Sequence, residues 1–245
     1  MKRWQMWIGG CLAAFALDAF AADSVPDLAK IRAQLAVEYA RAGSYRFALD
    51  AANEAIRIAP GYAEGWLSRA WVHSGLRMER EADADYRKAL SIEPDNPAGN
   101  NNYGSFLCDH GKAAESLAYF RRAIANPLYE TPALAWVNMA RCHLALDRKD
   151  EANEDLLAAL SARPDYPPAL KALAALHLAL GHVKLASFYF DRLAGNPDAL
   201  GPEDLMVGIR LARLNGNRVR EEALAARLKG RYPDSRQTQQ LLSGT

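Results

Sequence analysis

Proline recurs at a fixed interval in this 245-residue chain, and the interval restricts the fold more than any other feature. Pro60 and Pro94 are 34 residues apart, and Pro94 and Pro164 are 70 apart, two such intervals plus two residues. Between the first two prolines the sequence reads as a pair of short amphipathic helices. Trp66 opens the first helix and Ala70 follows one turn later. Ala82, Tyr86 and Ala89 mark the packing face of the second, and Pro94 closes the unit. Proline belongs at such a boundary because it clashes with a preceding helical turn and restricts its neighbour. One pair of this size cannot bury both of its apolar faces, so successive pairs must stack into a continuous core.

The pattern resembles the tetratricopeptide repeat, whose period is about 34 residues. The fold expected is all-α, a tetratricopeptide repeat solenoid of about six helix pairs in a right-handed superhelix. The repeats fall at about 29–62, 63–96, 97–132, 133–166, 167–201 and 202–235, inside a domain spanning 22–236. Asp27 is placed to cap the first helix. Gly43, Gly111 and Gly181 fall at turns between paired helices. The two extra residues are assigned to the irregular stretch 126–132, after which the fourth repeat resumes in register at Trp136 and Ala140. The sixth pair is degenerate, as a terminal repeat is expected to be. Residues 237–245 read as a capping helix or a tail.

The N-terminus reads as an export signal over residues 1–21. Lys2 and Arg3 precede an apolar run from Trp4 to Phe20, and Ala19-Phe20-Ala21 offers a small-x-small cleavage site before Ala22. Ile8-Gly9-Gly10-Cys11 resembles a bacterial lipobox, which makes Cys11 an alternative processing point through lipidation. Gly9, Gly10 and Asp18 interrupt the run too much for a membrane-spanning helix. Removing residues 1–21 takes Lys2, Arg3 and Asp18 from totals of 30 basic and 29 acidic residues and leaves 28 of each. That balance gives no reason to expect nucleic acid as a partner.

Two cysteines then remain, Cys108 and Cys142. Export permits a disulfide, but they occupy positions 12 and 10 of neighbouring repeats and point in different directions. They read as two small, partly buried apolar residues rather than as a bridge. His73, His143 and His177 all fall at repeat position 11. Equivalent positions in stacked helices sit about 8–10 Å apart, too far to share a metal, so neither a metal nor a cofactor is expected. His110 and His182 flank turns. Glu79/Glu81 and Glu221/Glu222 read as solvated charge, and no nucleophile elbow, phosphate loop or zinc-protease motif occurs. The chain is expected to be non-enzymatic.

The inner face of the first helices is the functional candidate. It is expected to present Val37, Leu67, Trp71, Asn101, Ser105, Cys108, Val137, Arg141, Leu144, Leu178, Met206 and Arg210. So apolar a groove suits a protein partner bringing an amphipathic helix or strand.

Four stretches carry a narrower resemblance. They are Asn101-Asn102-Tyr103-Gly104-Ser105-Phe106-Leu107, Pro127-Leu128-Tyr129, Gly208-Ile209-Arg210-Leu211-Ala212 and Arg231-Tyr232-Pro233-Asp234-Ser235. Together they resemble the PilF/PilW family of type IV pilus biogenesis proteins, over most of the chain beyond the signal. The resemblance implies a pilotin-like role: a periplasmic protein, associated with the outer membrane through lipid or partner, that binds the pilus secretin by its groove and assists its localisation or assembly. Cys11 departs from the family pattern, because few apolar residues precede it. The alternative reading is a periplasmic scaffold for other cell-envelope assembly machinery.

Overall fold

The computed structural model describes residues 25–243. The expected signal segment, the expected cleavage site before Ala22 and Cys11 lie outside the described residues. The described chain holds thirteen α-helices, of which twelve form six antiparallel pairs. The pairs are α1 (Asp27–Arg41) with α2 (Tyr45–Ile58), α3 (Ala63–Gly75) with α4 (Glu79–Ile92), α5 (Pro97–Asp109) with α6 (Ala113–Ala125), α7 (Pro132–Ala145) with α8 (Lys149–Ala162), α9 (Pro167–Ala179) with α10 (Val183–Ala194), and α11 (Pro202–Leu214) with α12 (Arg218–Arg231). A 3-10 turn, Pro197–Ala199, precedes α11, and α13 (Arg236–Ser243) follows α12. Each helix packs on its partner and on the pair that follows, which makes a solenoid.

Local chemistry sets the boundaries. Proline occupies the first turn of α5, α7, α9 and α11, where its missing N–H would be unpaired in any case. The turn within each pair needs one residue with positive φ. Glycine supplies it at Gly43, Gly111, Gly181 and Gly216, but Arg77 and Asp147 adopt the same conformation at φ 58° and 55°. Asp27, expected as the cap of α1, lies instead at its first helical position. Pro26 precedes it, and the Asp27 carboxylate accepts from Lys30 Nζ at 3.2 Å.

Size complementarity holds the stack together. Phe120 is fully buried against the helix of Gly104, where an added Cβ would lie 3.0 Å from the ring. Phe190 packs still closer on Gly208, where a Cβ would fall 2.2 Å from Cζ. Tyr86 stacks on Tyr103 with centroids 5.4 Å apart, and burial pushes the Tyr86 phenol up to about 12. Tyr103 donates to Asp83 at 2.8 Å. Burial opposes ionisation of Asp83, but its bonds from Arg87 and Tyr103 outweigh that and hold its carboxyl below the usual range.

Candidate functional site

The first helices of successive pairs lie side by side and leave a recessed face. At the N-terminal end α1, α3 and α5 line a cleft of about 450 Å³, with Val37, Arg41, Leu67, Trp71 and Asn102 along it. Trp71 is 36% exposed, and the Arg41 guanidinium sits 6.0 Å from its ring centroid. The same indole borders a recess of about 250 Å³ that reaches Ser105 and Asp109. Towards the C-terminal end α9 and α11 line a second cleft of about 480 Å³, with Leu178, Val207, Arg210 and Leu214.

Between the two clefts, α5 and α7 are tied by a polar and covalent seam. Asn138 donates to Asn101 Oδ1 at 3.0 Å. Arg141 donates to Ser105 Oγ at 2.9 Å and pairs with Asp109. Cys108 and Cys142 form a disulfide with Cα atoms 5.8 Å apart. The bridge overturns the expectation of two unpaired, partly buried cysteines. Positions 12 and 10 lie about 200° apart around a helix of 3.6 residues per turn. Cys108 must face forward to the next repeat and Cys142 back to the previous one, so opposite directions bring the sulfurs together.

The expected groove residues divide. Trp71, Arg141, Leu144 and Arg210 are exposed, and Val37, Ser105, Val137 and Leu178 are half-buried. Leu67 is buried but still walls the first cleft. Asn101 and Met206 are corrected out of the accessible face. Asn101 is covered in the α5–α7 seam, and Met206 is buried in the core with Leu205 and Ile209. Arg41, Asn102 and Val207 line the clefts without having been expected. Arg41 carries a usable signal, since it occupies position 13, one of the positions that face inward.

The position-11 histidines serve their own repeats. His73 Nδ1 lies 2.9 Å from Asp85, which also receives both Nε and Nη2 of Arg69 at 2.8 and 2.7 Å. His143 Nδ1 lies 2.6 Å from Asp155, whose carboxyl burial pushes up. His177 stacks on Tyr189 and meets His182 at 3.3 Å; burial and then the charge of His182 depress its pKa. Among the described residues no three His, Cys, Asp or Glu side chains converge as metal ligands.

A stacked array of helix pairs, recessed along its first helices, defines a helical-repeat protein of the tetratricopeptide class. Residues 63–96 and 133–166 match the tetratricopeptide repeat family. The chain is 35% identical to PilW, described as a widely conserved type IV pilus biogenesis factor. The superposition has a TM-score of 0.78 and covers 87% of this chain and 98% of PilW. A solved PilF structure from Pseudomonas aeruginosa superposes with TM-score 0.78 at 25% identity, over 89% of this chain and 98% of that one. The type IV pilus assembly protein PilF of Pseudomonas aeruginosa is 27% identical over 209 residues, 84% of this chain and 82% of PilF. The chain belongs to the PilF/PilW family of type IV pilus biogenesis proteins.

Proposed function

We propose that this protein acts in type IV pilus biogenesis as a non-enzymatic, pilotin-like factor, binding the outer-membrane secretin through the recessed face of its first helices. Export to the periplasm, with attachment to the outer membrane through lipid or partner, completes the reading. The carrying observation is the cleft around Trp71, which holds a large aromatic side chain open to solvent among Val37, Leu67 and Arg41. Burying an indole against an apolar segment contributes roughly 1.5–3 kcal/mol, and aromatic anchors of this kind dominate interface energies. Arg41 beside it suits a segment that also carries an acid.

The test is capture of the pilus secretin from detergent-solubilised membranes by the wild-type chain and by Trp71→Glu. Binding is expected to fall at least tenfold while the circular dichroism spectrum is unchanged. Full capture by a folded Trp71→Glu chain refutes the groove as the secretin site. Intact mass of the chain from native membranes separates the two processing routes: a lipidated Cys11 start attaches the protein itself, and an Ala22 start makes its partner the attachment.

A further inference from the structure

Among the described residues, the first repeat leaves uncovered the face that later repeats use to pack on their predecessors. At repeat position 3 the second to fifth repeats carry Gly65, Gly99, Ala135 and Ala169, all buried, and the sixth carries half-buried Asp204. A Cβ on Gly65 would meet Ile56 and Ala55 of the preceding pair at 3.4 and 3.6 Å, so this position is where one repeat sits on the last. In α1 the same position is Ile31, which is 50% exposed. Leu28 is 49% exposed and Tyr39 is 38% exposed, whereas the later residues at the position of Tyr39 are all buried. Half-buried Leu35 lies between them, and Phe47 of α2 extends the patch, 5.7 Å from Tyr39. The spacing Leu28, Ile31, Leu35, Tyr39 is a helical stripe about 16 Å long at 1.5 Å per residue.

We propose that this stripe pairs with the same stripe of a second copy, α1 against α1 in antiparallel orientation about a two-fold axis near residue 34. The charges beside the stripe are what single out this occupant. Asp27, Lys30, Glu38 and Arg41 all lie on one flank of the helix and pair with their own neighbours three residues away, Lys30 on Asp27 at 3.2 Å and Arg41 on Glu38 at 2.7 Å, with Arg41 also over Trp71 at the edge of the groove. In the antiparallel pair Asp27 faces Arg41 of the other copy and Lys30 faces Glu38. Leu28 comes opposite Tyr39, and Ile31 opposite Leu35. Each contact then occurs twice, as an isologous interface requires. The exposed pairs that rearrange contribute little in the free chain. A stripe one helix long belongs with small interfaces, so a dissociation constant on the order of 10–100 μM is expected. The apolar stripe lies on another side of α1 from Val37 and the groove, and the two surfaces meet at Arg41.

Sedimentation velocity on the processed full chain, from about 1 to 300 μM, tests it. The wild type is expected to shift from monomer to dimer over that range. Ile31→Glu, at a half-exposed position, is expected to weaken the dimer about a hundredfold without loss of helicity. Lys30→Glu and Glu38→Lys each set like charges opposite one another and are expected to weaken it about tenfold. Mixing those two single variants restores both attractive contacts, and the mixture is expected to dimerise as the wild type does. A wild type that stays monomeric throughout overturns the proposal, whether the stripe is covered by the chain's own earlier residues or by another protein. So does a dimer untouched by Ile31→Glu, or a mixture no tighter than its components.

Discussion

Reducing the bridge between Cys108 and Cys142 is expected to destabilise the chain without changing its fold. The bridge closes a segment of 34 residues. In the chain-entropy treatment a loop of that length restricts the unfolded chain by about 3.8 kcal/mol at 25 °C, and measured native bridges contribute about 2–4 kcal/mol. Both cysteines are buried, so the reduced side chains still fill their places and little packing is lost on the folded side. The seam retains Asn138 on Asn101 and Arg141 on Ser105. The comparison is urea unfolding of the same wild-type chain, oxidised and reduced, followed by circular dichroism, with the thiol state checked by mass. With a slope near 2–3 kcal/mol/M for a chain of this size, the midpoint is expected to fall by about 1 M or more. Coincident midpoints for verified oxidised and reduced samples would refute the reasoning, because the bridge would then constrain nothing that unfolding releases.

Two further expectations follow from contacts already described. Gly208→Ala places a methyl 2.2 Å from Phe190 Cζ, and the repacking it forces is expected to cost about 1–3 kcal/mol, read as a lower thermal midpoint. His177 is expected to titrate below the ordinary imidazole value of about 6.5, because burial and then His182 disfavour its charged form. Its contribution to stability is therefore full above that value and lost as pH falls through the folded pKa, since the unfolded chain takes the proton first. An NMR titration is expected to show the His177 value rise in His182→Gln, and an unchanged value would sink the assignment of cause.

The repeat phase was legible because it rests on residue volume. Trp66, Ala70, Ala82, Tyr86 and Ala89 recur in register with their neighbours, and one face per helix follows directly. The groove was legible only in part. The helical wheel placed Trp71, Ser105 and Arg210 on it, but could not see that repeat three leans against repeat four closely enough to cover Asn101, or that Met206 falls among core side chains. Those outcomes depend on how consecutive helices are offset, which no single repeat encodes. The disulfide was missed for a related reason. Direction was compared on one helix, whereas a bridge joins the forward side of one helix to the backward side of the next. The turns at Arg77 and Asp147 were also hidden, because neither residue type announces positive φ as glycine does.

The short helix α13 has a consequence for growth. It lies against α11 and α12, with Thr238 buried and its hydroxyl donating to the Tyr232 carbonyl at 2.7 Å. An array of identical layers with two bare ends can add copies head to tail without limit. Among the described residues α13 occupies the side of α11 and α12 on which a further pair would stack, so a layer can add there only by displacing α13 and breaking the Thr238–Tyr232 bond.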